Sequence, residues 1–181
     1  LVARLYSHEP EPMLHMHKDD MERRQLANGD LVKVKSKRGD VVLKVVESAT
    51  LRAGQSFLPM HWGGNTMGGQ GVNVLLPSDF DPYSKQPELK HAAVQVEKYT
   101  AGKALVAMRR TEVDADGNLQ PNPLAVMDRL RQWLPNFPYA SLTLAGRTAP
   151  VIVLKARGKE LAPELLAALD RELSLDDPTK V

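Results

Sequence analysis

LVKVKSKRGDVVLKVVE, residues 31–47, decides the fold class. Leu31 to Ser36 alternates apolar and polar residues, Lys37-Arg38-Gly39-Asp40 carries turn chemistry, and Val41 to Glu47 is a second extended run. A strand points successive side chains to opposite faces, so this spacing predicts a β-hairpin with one apolar face and one lysine-bearing face. Upstream, Ala27-Asn28-Gly29-Asp30 reads as a turn that closes a short helix over Lys18–Gln25, with Asp19 or Asp20 near the free N–H groups of its first turn. Met13 to His17 alternates weakly and reads as a short strand. The prolines of HEPEP, from His8 to Pro12, favour extended backbone before it.

Downstream, Leu51 to Gln55 is a second turn and Ser56 to Met60 a third strand. Residues 61–73 form a glycine-rich loop, Val74 to Leu76 is short and apolar, Pro77 to Pro87 is a loop, and His91 to Val96 closes the segment as a strand. The pattern then changes. Thr100-Ala101-Gly102 reads as a linker, followed by a strand over 104–110 and a turn at Asp114 to Asn118. A helix from Asn122 to Leu134 has Asn122 as cap, Pro123 at its first position, and Leu124, Met127, Leu130 and Leu134 on one face. Strands over 140–145 and 150–156 and a helix over Ala162–Leu173, with Leu161, Leu165, Leu169 and Leu173 as its stripe, complete a β-α-β-β-α order. The expected division is 1–98 and 99–181.

The 181 residues carry 24 Lys and Arg against 22 Asp and Glu, and neither half is strongly basic, so nucleic acid is not an expected partner. Cys is absent, which excludes disulfides, thiolate metal sites, iron–sulfur ligation within these residues and cysteine nucleophiles. It is compatible with a cytoplasmic address, which is the expectation. No run approaches the ~18 apolar residues of a membrane span. The start at Leu1 sets the expectation of a piece of a longer protein.

The histidines His8, His15 and His17 invite a metal reading, since His15 and His17 share a strand face. No acidic or thiolate ligand completes the set, and no metal site is assigned. Five glycines between Gly63 and Gly71 could let backbone approach a phosphate, but no GK[ST] and no helix follow, so this is not a P-loop. Lys33, Lys35, Lys37 and Arg38 read as a solvated strand face, without interleaved aromatics. No nucleophile elbow or triad pattern occurs, and no residue is assigned a catalytic role.

Residues 57–97 read FLPMHWGGNTMGGQGVNVLLPSDFDPYSKQPELKHAAVQVE. FLPMHW, the Val72-Asn73 step, Asp81-Pro82 and SKQPELK (84–90), in this order, resemble the C-terminal molybdopterin-guanine-dinucleotide-binding domain of the dimethyl-sulfoxide-reductase superfamily, and within it the assimilatory nitrate reductases. LYSHEPEP, the 27–45 hairpin region and LRAGQSF carry the same resemblance, which covers roughly residues 1–98. The resemblance implies a double-psi β-barrel followed by a small α+β domain. It implies pterin contacts for Asn73 and Lys90, a place near the substrate funnel for Met60, and cofactor-binding positions beside it for His61 and Trp62. An Asn amide offers a donor and an acceptor, and Lys a mobile charge suited to phosphate or a ring carbonyl. On pattern alone, Asn73 as a turn residue and a solvated Lys90 account for both.

The implied cofactor is bis-molybdopterin guanine dinucleotide, with the molybdenum ligand and an iron–sulfur cluster upstream of this chain. The implied parent reduces nitrate to nitrite, with the rest of the reductase chain and an electron donor as partners. The chain alone is expected to be inactive and to hold no metal. Two rivals stay open: a formate dehydrogenase fragment, and a non-catalytic binding or interaction module on the same barrel.

Overall fold

A computed structural model describes residues 11–146 and 148–173. His8, most of the first proline-rich segment and residues 174–181 lie outside the described residues. The fold is mainly β: a curled half-barrel sheet of five strands followed by a small α+β layer.

The first sheet contains β1 (Met13–Met16), β2 (Leu31–Lys35), β3 (Asp40–Glu47), β4 (Ser56–Phe57) and β5 (Gln95–Lys98), in the order β4-β1-β3-β2-β5. β1 runs parallel to β3 and the other pairs are antiparallel. The hairpin forms as its alternation predicts, with Val34 opposite Val41 on one side and Val96 on the other. Leu14, Val32, Val34, Leu43 and Val45 pack into one core, which Trp62, Met67 and Val72 complete from the loop side. The helix α1 (Lys18–Arg23) starts at His17, whose Nδ1 accepts from the Asp19 N–H.

Two strands differ from expectation. The third strand stops at Phe57, before Pro59, which has no N–H to give a ladder. The last strand spans 95–98 rather than 91–96, because Gln95 pairs with Lys35, the final residue of β2. Residues before Gln95 run past the end of β2, where the chain has already turned, and find no partner strand.

The second region contains β6 (Lys103–Arg110), a short hairpin of β7 (Glu112–Val113) and β8 (Leu119–Gln120), α2 (Pro123–Arg131), β9 (Tyr139–Ala145), β10 (Val151–Gly158) and α3 (Pro163–Leu173). β6, β10 and β9 form an antiparallel sheet in that order. Asn122 Oδ1 accepts from the Leu124 and Ala125 N–H groups, capping α2 as the sequence suggests. The buried stripe of α2 is Pro123, Val126, Met127 and Leu130. Leu124, one residue or about 100° round from Pro123, is exposed instead. Leu130, Leu142, Ile152, Leu154, Leu169 and Leu173 make the second core.

The lysine-bearing face of the hairpin is not simply solvated. Leu31 and Val42 on that face are buried with Tyr139 of β9. Beside them the Glu11 carboxylate accepts from Lys44 Nζ (2.8 Å), the Tyr139 hydroxyl (2.6 Å) and Lys155 Nζ (3.4 Å). Burial acts to raise the Glu11 pKa, but the Lys44 and Tyr139 hydrogen bonds and the two lysine charges outweigh it and hold the carboxyl below its ordinary value. Burial and the same hydrogen bond push the Tyr139 phenol well above the usual range, so it stays a donor.

Candidate functional site

From Leu58 to Val94 the chain leaves the sheet and returns to it. The irregular stretch is nonetheless tied down at several points. Val72–Leu75 forms a 3-10 turn with Val72 and Leu75 buried and Asn73 exposed between them. Gly39, in the hairpin turn, leaves room for this element: a Cβ there would lie 2.5 Å from Val74 Cγ2. The turn carrying Asn73 therefore rests on the hairpin. Its first residue follows Gly71 with no side-chain cap, and the Asn73 amide makes no hydrogen bond among the described residues.

Residues 79–88 form a closed loop. Asp81 N–H donates to the Gln86 carbonyl (2.9 Å), Glu88 N–H to the Asp79 carbonyl (2.9 Å), and Asp81 Oδ1 accepts from Tyr83 and Ser84 N–H. The Ser84 backbone hydrogen bond is the main reason the Asp81 carboxyl sits below its ordinary pKa. Glu88 Oε1 then accepts from Lys90 N–H (2.7 Å) and His91 N–H (3.2 Å), which lowers its own pKa. Lys90 is thus fixed by the Glu88 turn, and the strand expected from His91 begins only at Gln95.

Asn73, Lys90, His61 and Met60 come together. They line one cleft of about 440 Å³, with Phe57 and Leu89 as apolar wall. Trp62 departs from this group: it is buried in the core of the first sheet. Met60 and His61 lie in a turn, after which Trp62 enters the core and its carbonyl accepts from the Val72 N–H.

Lys90 also lines an adjoining recess of about 880 Å³, together with Arg24, Lys37, Arg38 and His91. Asp20 lines it as well and is held ionised. Its carboxylate accepts from Gly54 N–H (2.5 Å) and Arg23 (2.7 Å) and lies 3.5 Å from Arg24. The Gly54 hydrogen bond is the largest influence on it, and together with the two arginines it overcomes burial and lowers the pKa. The recess still carries more positive than negative side chains, which suits an anionic ligand. Sequence reasoning missed Arg24, Lys37 and Arg38, because a helix end and a hairpin turn, read one at a time, carry no sign that they meet around a recess. An apolar cleft with exposed donors, opening on a cationic recess, can hold an extended ligand with ring edges at one end and phosphates at the other.

The model of the family described as "Molydopterin dinucleotide binding domain" matches residues 1–93. The chain belongs to this family. The matched residues of this molydopterin dinucleotide binding domain contain β1 to β4 and every cleft residue named above; β5 and the second sheet lie beyond them. Nitrate reductase of Klebsiella oxytoca is 42% identical over 96 residues, covering 52% of this chain and 11% of that protein. The F420-dependent formate dehydrogenase subunit alpha of Methanocaldococcus jannaschii is 35% identical over 88 residues, 49% of this chain and 12% of that protein. Nitrate reductase of Synechocystis is 42% identical over 62 residues, 34% of this chain and 9% of that protein. The chain thus spans about a tenth of the length of the curated relatives it matches. Among solved structures, acetylene hydratase from Pelobacter acetylenicus is similar with a TM-score of 0.45 and 20% identity, over 52% of this chain and 15% of that one. No helix among the described residues is long and apolar enough to cross a membrane.

Proposed function

We propose that this chain is the C-terminal part of a cytoplasmic molybdenum oxidoreductase that reduces nitrate to nitrite, and that its cleft holds the guanine dinucleotide form of the molybdopterin cofactor. The observation that carries this reading is the convergence of Asn73, Lys90 and His61 on one cleft that opens into the recess of Arg24, Lys37 and Arg38. When bound, the cofactor supplies the metal at which an oxygen atom is transferred. The chain's own residues bind and orient. Asn73 offers a donor and an acceptor to a ring edge, while Lys90 and the recess cations neutralise phosphate. Met60 borders the approach to the cleft. No residue here performs chemistry, so the chain alone is inactive.

On this reading the curled sheet is the described portion of a double-psi β-barrel, and residues 1–98 and 99–181 are separate folding units. The partners are the remainder of the reductase, which carries the metal ligand and an iron–sulfur cluster, and an electron donor. The 42% identity to two nitrate reductases favours nitrate over formate as the parent's substrate. The 35% identity to a formate dehydrogenase subunit keeps that second reading alive. The test is Lys90→Ala in the full-length parent, with molybdenum and acid-released guanine nucleotide measured per chain. Loss of one charged hydrogen bond costs about 1.5–3 kcal/mol when desolvated, and less where water screens it. Both contents should fall together while the protein stays folded. Unchanged contents would reject the assignment, and nucleotide without guanine would reject the guanine form.

A further inference from the structure

The glycine-rich residues 63–71 are neither a loose connection nor a phosphate cradle. They form an arm with a closed neck and an anchored tip. At the neck, Val72 N–H donates to the Trp62 carbonyl (2.9 Å), and Gly63 and Gly71 form an antiparallel bridge. Gly71 has φ +84°, and a Cβ on it would lie 2.8 Å from Gly63 Cα, so only glycine lets the two sides approach this closely. His61 and Asn73 stand one residue outside the Trp62–Val72 pair, on the two feet of the arm, and both line the cleft.

The tip reaches the second sheet. Met67 bridges Ser141 of β9, Gly68 N–H donates to the Ala140 carbonyl (2.9 Å), and Leu142 N–H donates to the Thr66 carbonyl (2.9 Å). β9 is an edge strand of its sheet, so the tip occupies ladder positions that the edge would otherwise leave open. Arg131, at the end of α2, donates from Nε to the Asn65 carbonyl (3.2 Å). Gly68 permits this approach, since a Cβ there would lie 2.7 Å from the Phe137 carbonyl oxygen and 2.9 Å from Ala140 N. The Met67 side chain, 1% exposed, is driven into the core of the first sheet. One four-residue stretch is thus held by both sheets.

We propose that the second sheet is a positioning element for the cleft: by gripping the tip of the 63–71 arm through β9 and Arg131, it holds His61 and Asn73 at a fixed separation across the cleft. The use of that separation for a cofactor rests on the function proposed above; the grip itself does not. A filler between two sheets would need an apolar side chain such as Met67. It would not need backbone pairing at the tip, a sealed neck, and two cleft residues on the feet.

The experiment measures amide exchange by NMR on the 181-residue chain, in wild type, Gly68→Ala and Arg131→Ala. Leu142 N–H reports the tip, Val72 N–H the neck, and the β2–β3 amides the unrelated part of the first sheet. Gly68→Ala should speed exchange at Leu142 and at Val72 by tenfold or more, with β2–β3 unchanged. Arg131→Ala, which removes the hydrogen bond to the Asn65 carbonyl together with an Asp128 ion pair inside α2, should move the same two amides in the same direction by about threefold, and it carries the test if Gly68→Ala does not fold. Acceleration at Leu142 with Val72 unmoved would overturn the proposal, as would no change at Leu142. No ligand is present in this measurement, so its failure leaves the cofactor reading intact. Conversely, unchanged cofactor content in Lys90→Ala leaves the arm intact.

Discussion

The three-stranded sheet covers one face with two helices, and the long connection from β6 to β9 is itself built of a short hairpin and a helix. The five-stranded sheet has one helix of six residues, Lys18–Arg23, and covers its core with irregular chain from Leu58 to Val94, in which a 3-10 turn is the longest regular piece. Connections of that length without secondary structure are uncommon and usually functional. The contrast is between a scaffold that satisfies its backbone locally and a surface that spends long loops to present polar ends. Asn73 sits between buried Val72 and Leu75, and Lys90 follows the Glu88 turn, so the presented groups stand on fixed bases. The helical layer braces and the loop-covered sheet presents.

The strongest way to break this contrast is to collapse one core. Leu130 is fully buried between α2 and the second sheet. Leu130→Ala should destabilise by about 2–5 kcal/mol, since the cavity adds to the lost burial. Measured by denaturant titration with amide exchange, the loss should fall on β9 and β10 first and leave β2 and β3 protected. Equal loss across both sheets would make the chain one cooperative unit and remove the division near residues 98–103.

A smaller effect sharpens the contrast at the seam. Glu11 ties Lys44 of the first sheet to Tyr139 and Lys155 of the second. Glu11→Gln leaves the half-buried Lys44 without its counter-charge and should cost about 1–3 kcal/mol at pH 7. Because the folded-state pKa is lowered below the ordinary 4.5, the folded protein binds that proton less readily than the unfolded chain. The stabilisation is therefore complete above 4.5 and disappears as pH falls through the lowered folded value. The stability gap between wild type and Glu11→Gln should be widest near pH 7 and narrow progressively as pH falls below 4.5. A gap that stays constant, or widens in acid, would show that the Glu11 charge does not hold the seam.

What could be read in the sequence was local. The 31–47 hairpin follows from period-two alternation around a Gly turn, and the Asn122 cap from Asn-Pro before an apolar stripe, because each needs only neighbours a few residues away. The limits of β5 depend on where β2 ends, which the sequence of 91–98 does not contain. The seam depends on Glu11 meeting Tyr139, 128 positions apart, and nothing in either local pattern announces it. The grouping of His61, Asn73 and Lys90 came from resemblance to a family and not from spacing. Trp62 went along with its neighbours there, although the chain turns at Met60 and His61 and sends it into the core. The recess cations Arg24, Lys37 and Arg38 stayed hidden because they come from a helix end and a hairpin turn, and a solvated basic residue and a ligand-facing one look alike in sequence.

The smallest effect tests that last ambiguity on the hairpin itself. Lys33 and Lys44 lie on the same face, and their alternation alone makes them equivalent. The structure separates them. Lys44 is 19% exposed and lies within 2.8 Å of a Glu11 carboxylate that is also largely buried. Lys33 pairs with Asp40 at 3.1 Å, with both side chains 40% or more exposed. Two exposed charges gain little from each other, because water screens them and both side chains lose freedom in holding one geometry. Lys33→Ala should therefore change stability by less than about 0.5 kcal/mol, and the change should vanish in high salt. Lys44→Ala should cost several times more and keep most of its cost in salt, since a largely buried carboxylate loses the nearer of its two lysines. The two variants differ in nothing that the alternating pattern encodes. A large, salt-resistant loss at Lys33 would mean that the covered part of the hairpin face extends across Lys33 to its turn, and that the second sheet reaches further over the presenting one than Leu31, Val42 and Tyr139 mark out.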